Sequence, residues 1–281
     1  MKKIATQAAT LAAFFEAHPR VVVITGAGVS AEAGIPTYRD ASGTWLGSRP
    51  IQHQEFIAHS AQRQRYWARS MRGWPDVRDA QPGITHSALT LLQRAGAVPL
   101  IITQNVDRLH QRAGSSAVVD LHGRLDRVKC LDCDAQIPRE SMQAELLLHN
   151  PVQEAPLAGA RPDGDADVSD ALVNQMHVPP CAQCGGILMP DVVFFGGTVP
   201  KQRVSYCMQA LEHADALMAI GSSLQVFSGF RFCRQTHQQG RPLAIINPGQ
   251  TRADDLATLK IAADCGPLLR RLAQHLGLPE D

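Results

Sequence analysis

The sequence predicts an α/β fold built on a doubly wound parallel sheet. Three features carry that prediction: continuous apolar runs of strand length, helical patterns between them, and a glycine or polar residue closing each run. Continuous rather than alternating runs suit strands covered on both faces, and strand–helix alternation sets those strands parallel. Ligands of such sheets bind beyond the carboxyl ends of the strands, which gathers Gly26, Gln104, Gly221 and Asn247 around one crevice.

Each element follows in order. Met1-Lys2-Lys3 and the apolar residues 4–15 have the outline of a signal peptide, but Thr6, Gln7 and Thr10 interrupt the run and no small-residue cleavage site follows. An amphipathic first helix is expected instead. Val21-Val22-Val23-Ile24-Thr25 is the first strand, with a glycine-rich turn directly after it. Residues 45–81 are polar and aromatic and read as helical. Further strands are expected at 98–103, 118–121, 216–221 and 243–247, with helices at 200–213 and 228–239. Residues 127–189 carry two cysteine pairs, separated by a Pro-, Gly-, Ala- and Asp-rich surface loop at 150–170. The second module is therefore an insertion, not a carboxyl-terminal half.

Composition narrows the function classes. Of 281 residues 44% are hydrophobic, and 27 Lys and Arg against 26 Asp and Glu leave a net charge of +1. No basic excess points to nucleic acid as the main partner, and no apolar stretch reaches membrane-spanning length. Seven cysteines, an odd number without a secretory signal, argue against a disulfide framework and for a reducing, cytoplasmic setting.

Cys130-x-x-Cys133 and Cys181-x-x-Cys184 can each place two thiolates on one metal, and four thiolates complete tetrahedral zinc. Two dithiol redox pairs are the other reading of the same spacing. With four cysteines no position stays open for water, so a zinc here is structural. Cys207, Cys233 and Cys265 fit buried or cofactor-wall positions.

The turn Gly26-Ala27-Gly28-Val29-Ser30 suits a pyrophosphate, because glycines allow close backbone approach and a helix amino terminus favours its charge. The next glycine, Gly34, is too distant for the dehydrogenase fingerprint, and a purely structural turn is possible on this loop alone. With Gly34-Ile35-Pro36-Thr37-Tyr38-Arg39 added, the block resembles the opening motif of the sirtuin family, whose usual Phe is here Tyr38. Similar blocks follow in the family's order: Thr103-Gln104-Asn105-Val106-Asp107, Leu121-His122-Gly123, Pro190 to Gly196, Gly221-Ser222-Ser223, Ile246-Asn247-Pro248-Gly249 and Cys265-Gly266. Arg49-Pro50-Ile51-Gln52-His53, the stretch 63–69 and Gly73-Trp74-Pro75 look like the class II branch, which includes the mitochondrial sirtuin numbered four. Without an Arg- and Ser-rich leader the chain looks like a bacterial relative.

The resemblance implies a single catalytic domain over residues 1–281. Its Rossmann-like core would comprise about 1–44, 86–126 and 190–281, with a helical insertion at about 45–85 and the zinc module at about 127–189. It implies NAD as co-substrate, one structural zinc, and acyl-lysine proteins as substrates of a monomer. In the family, the acyl oxygen attacks the ribose carbon as nicotinamide leaves, and O-acyl-ADP-ribose and free lysine result. Carried over by position, His122 is the general base, Asn105 holds the nicotinamide ribose and Asp107 the carboxamide, while Gln104 contacts the ribose. Gly26, Ala27, Gly28, Ser30, Tyr38 and Arg39 line the pyrophosphate and nicotinamide side. Gly221, Ser222 and Ser223 face phosphate or ribose, with helix capping a second role for the serines. Asn247, Pro248, Gly249 and Cys265 border the adenosine. Val193, Phe194, Phe195 and Gly196 form an extended edge for the substrate peptide.

Two departures matter. Gly197 stands where the family has an acidic residue, which leaves peptide preference open. Tyr66 and Arg69, one turn apart on a helix, resemble a pair that recognises acidic acyl groups in another branch. They read either as a carboxylate pocket or as a packing Tyr and a surface Arg. Mono-ADP-ribosyl transfer or NAD hydrolysis in the same pocket, and a non-catalytic NAD-sensing module, are the competing functions.

Overall fold

The structure, a computed structural model, describes residues 2–40, 44–46, 50–150 and 163–279. Helix α1 (Lys2–Ala17) leads into β1 (Val21–Thr25), every residue of which is buried. After α2 (His53–Ala58), α3 (Ser60–Asp79) and α4 (Ile84–Arg94) come β2 (Ile101–Thr103), α5 (Leu109–Arg112) and β3 (Val118–Asp120). The cysteine-bearing region contains β4 (Gly123–Cys130), β5 (Gln136–Pro138), α6 (Arg139–His149), α7 (Asp170–Gln175) and β6 (Leu188–Val192). The chain then returns through α8 (Lys201–Glu212), β7 (Ala216–Ile220), α9 (Phe227–Gln238), β8 (Leu243–Ile246), β9 (Leu259–Ile261) and α10 (Cys265–His275).

Six of these strands form a parallel sheet in the order β3-β2-β1-β7-β8-β9. Alternate residues of β1 enter opposite cores. Val21 and Val23 join α1, α4 and α10 on one face, while Val22 and Ile24 join α8 and α9 on the other. This double coverage explains why the strands read as unbroken apolar runs. The strand order reverses between β1 and β7, the position where open α/β sheets form their ligand crevice.

The two insertions share one core. Phe56, Tyr66, Trp67 and Met71 from α2 and α3 pack with Val128, Met142, Leu146, Leu188 and Met189 around the antiparallel sheet β5-β4-β6. Arg139 is buried there between the rings of Trp67 and Trp74, each 5.3 Å away, and donates to the Ser70 carbonyl. Burial lowers its pKa to about 10.

Some boundaries differ from expectation. The strand expected at 98–103 starts at Ile101; Val98 and Leu100 are buried ahead of it, and the Leu100 carbonyl accepts from the Val23 amide. β4 starts at Gly123, ahead of the expected module boundary. β6 ends at Val192, so the extended edge expected at 192–196 is cut short: the Val193 amide donates to the His122 carbonyl, Phe195 forms a parallel bridge to Gln52 and accepts from the His53 amide, and the chain then turns at Gly196, whose φ is +75°. Arg49 and residues 151–162 of the expected loop lie outside the described residues.

Candidate active site

A crevice of about 830 Å³ opens at the reversal point. Its floor is made where β1 and β7 end. The Gly28 amide donates to the Gly221 carbonyl at 2.8 Å. A Cβ on Gly28 would lie 2.8 Å from that oxygen, and Gly221 has φ of +59° with Val29 N only 2.8 Å from where its own Cβ would be. Two glycines are thus needed for the loops to touch, which leaves a floor free of side chains that a ligand can approach closely. Gly26, Ala27, Gly28, Gln104, Gly221, Ser222, Ser223, Asn247, Pro248, Gly249 and Cys265 all line the crevice as expected.

Beyond β2, a polar network fixes the next set. Asn105 donates through Nδ2 to the Gly26 carbonyl and to Ser30 Oγ, both at 3.0 Å. Ser30 donates to Asp107 Oδ2 at 2.7 Å, and the Leu109 amide donates to Asp107 Oδ1 at 2.9 Å. Burial raises the Asp107 pKa, opposed by these donors. Asn105 lines the crevice, whereas Ser30 and Asp107 are buried behind it and hold its amide in place. Beneath them the His110 ring donates to Thr25 Oγ1, which donates to Thr103 Oγ1.

His122 sits past the end of β3 with both ring nitrogens engaged. Nδ1 faces the Gln104 carbonyl at 3.0 Å and Nε2 faces Ser228 Oγ at 2.7 Å. A carbonyl only accepts, so Nδ1 carries the proton and Nε2 is left as the basic lone pair. Burial lowers the pKa to about 4; the Gln104 carbonyl opposes the shift, and Arg203 and Arg231 add to it. The imidazole is therefore neutral at pH 7, as a general base must be.

Across the crevice Tyr38, Trp45 and Phe195 form an aromatic cluster with centroids 5.5–6.3 Å apart, and Arg39 stacks on Trp45 at 4.9 Å. Val193, Phe194, Phe195 and Gly196 line this side, and Tyr66 packs against Phe194. Arg69 does not line the crevice. It is buried and donates through Nε to Asp165 Oδ1 at 2.7 Å, so its guanidinium is already matched to a carboxylate. Asp163 and Asp165, from a segment the sequence marked only as loop, line the wall near Tyr66. Ser228, Arg231, Trp45 and Glu32 are further lining residues that sequence reasoning missed.

The four cysteines meet away from the crevice. Their sulfurs all lie within 4.8 Å of one another, with Cys130–Cys184 at 3.5 Å and Cys133–Cys181 at 3.8 Å. Zinc–sulfur bonds of about 2.3 Å in a tetrahedron require sulfurs about 3.8 Å apart, so the residues fit one zinc ion. No cysteine of this set lines the crevice. Cys207 and Cys233 are buried in the sheet core, and burial pushes the Cys265 thiol up to about 12.

Comparison with known proteins agrees with this geometry. Residues 26–228 match the model of the Sir2 family. An NAD-dependent protein deacetylase of Xanthomonas axonopodis pv. citri is 49% identical over 270 residues, covering 96% of this chain and 92% of its own. One from Bordetella bronchiseptica is 50% identical over 259 residues, covering 92% and 94%. A solved Sir2 structure with a p53 peptide and NAD+ has a TM-score of 0.74 at 28% identity and covers 92% of this chain and 94% of its own.

Proposed function

This chain belongs to the Sir2, or sirtuin, family, and from that premise we propose that it removes acyl groups from protein lysine side chains at the expense of NAD. The products are nicotinamide, free lysine and O-acyl-ADP-ribose. The observation that carries the reading is His122, a neutral imidazole of fixed tautomer facing a crevice whose glycine floor suits a pyrophosphate. Bound NAD supplies an electrophilic ribose carbon with nicotinamide as leaving group.

The residues then divide the work. Gly26, Gly28 and Gly221 offer backbone approach to the phosphates, and Ser222 and Ser223 offer hydroxyls. Asn105, oriented by Ser30 and Asp107, holds the ribose and its carboxamide neighbourhood. His122 Nε2 accepts a ribose hydroxyl proton. Tyr38, Trp45 and Phe195 exclude water where positive charge develops. The acyl-lysine enters between Phe195 and the crevice floor. Arg69, tied to Asp165, supports uncharged acyl chains such as acetyl over carboxylated ones. Zinc holds the small module together and takes no part in the chemistry. The three buried cysteines beside a four-thiol metal cluster fit a reducing compartment such as the cytoplasm.

The test is mass spectrometry of acetyl- and glutaryl-lysine peptides with and without NAD, for wild type and His122→Ala. NAD-dependent loss of acetyl with O-acetyl-ADP-ribose, absent in the variant, is expected. Nicotinamide release with no deacylated peptide would move the assignment to ADP-ribosyl transfer or NAD hydrolysis.

A further inference from the structure

We propose that Ser228 is a positioning residue for His122: its hydroxyl donates to Nε2 and, with the Gln104 carbonyl on Nδ1, locks the imidazole in one tautomer and one rotation. The inference rests on the reading of His122 as the base, and it adds a partner that neither the family blocks nor the strand-end pattern assigns.

The geometry is built for this contact. A ring held at one nitrogen can still rotate and exchange tautomers; held at Nδ1 by a carbonyl at 3.0 Å and at Nε2 by a hydroxyl at 2.7 Å, it cannot do so without breaking both bonds. Ser228 belongs to the first turn of α9, which packs against the Gln104 side chain just beyond β2. Gly229 makes the approach possible. A Cβ there would lie 2.6 Å from Gln104 Oε1 and 2.8 Å from its Cδ, so any other residue would displace either the end of the Gln104 side chain or the helix that carries Ser228. The Gln104 that Gly229 touches is the residue whose carbonyl holds the other side of the ring. Gln104 is itself fixed by donating to Ser222 Oγ at 2.8 Å.

Ser228 lines the crevice beside His122, so its hydroxyl oxygen can also accept from an arriving hydroxyl. Two charged groups face the same ring. Arg203 of α8 donates to the Leu121 carbonyl at 3.0 Å, and Arg231 of α9, one turn beyond Ser228, lines the crevice with its Nε unpartnered. Both disfavour a protonated ring.

Histidine side-chain NMR of the protein without NAD tests this independently of turnover. Wild type should show His122 as the Nδ1–H tautomer across pH 5–8. Ser228→Ala should mix the tautomers and shift the His122 titration. Ser228→Thr, which keeps the hydroxyl, should restore the single tautomer and the wild-type titration. In NAD-dependent deacetylation the alanine variant should lose about three- to tenfold in kcat with little change in KM for NAD. An unchanged imidazole titration and tautomer in Ser228→Ala would overturn the proposal. So would a faster alanine variant, which would make Ser228 a competitor for the lone pair. Absence of deacylation in wild type would sink the functional reading while the NMR result still decides the role of Ser228.

Discussion

The main sheet and the small module solve the same stability problem by opposite means. The six-stranded sheet buries apolar strands under helices on two faces, with Thr25, Thr103 and Asp120 at strand ends. The small module has a three-stranded antiparallel sheet, its strand β5 largely exposed, and packs its main apolar cluster against α2 and α3. It adds four clustered thiols and a guanidinium clamped between two indoles. One region rests on area removed from water, which tolerates many conservative changes; the other rests on a few specific bonds, each of which can fail outright.

The largest expected effect falls on the metal. Structural zinc in small domains is worth on the order of 10 kcal/mol, so Cys181→Ser should abolish zinc retention and deacetylation together, read by metal analysis and peptide turnover. Because β6 leads directly into the 193–196 wall, a zinc-free variant with normal peptide KM would break the contrast. At the sheet end, His122→Ala should cost about 10²- to 10⁴-fold in turnover with the melting temperature nearly unchanged, since no fold element depends on it.

Acid should weaken the sheet region next. His86 and His122, held near pKa 4 by burial, are neutral in the folded chain but protonate near 6.5 when unfolded. The unfolded state therefore binds more protons between these values, and stability falls as pH drops from 6.5 towards 4. Urea transitions should lose about 2 kcal/mol per histidine by pH 5; a flat profile would contradict the buried neutral state. Arg139→Met should cost about 2 kcal/mol through lost cation–π contacts and lost hydrogen bonds to Ser70, seen as a lower thermal midpoint. Gly28→Ala, the smallest, should cost about 1–2 kcal/mol of overpacking against Gly221 and appear mainly as a raised KM for NAD.

Legibility followed the same divide. The strands were visible because double coverage demands continuous apolar residues, and Gly26, Gln104, Gly221 and Asn247 because strand ends of one sheet share a crevice. The cysteine pairs announced themselves by spacing. Hidden were contacts made across sequence distance by packing alone. Arg69 meets Asp165 over 96 residues, and Ser228 meets His122 over 106. Asp163 and Asp165 sit in a stretch whose composition says only loop. No local pattern encodes that two separate insertions pack as one core, since their apolar faces look like any amphipathic surface.

That shared core has a bearing on synthesis. The α3 face at Trp67 leaves the ribosome 121 residues before Leu188, whose carbonyl accepts from the Trp67 indole. At roughly 5–20 residues per second the nascent chain carries that sticky face without its β6 partners for about 6–24 s. A message truncated before codon 188 should therefore yield a chaperone client rather than a smaller folded protein.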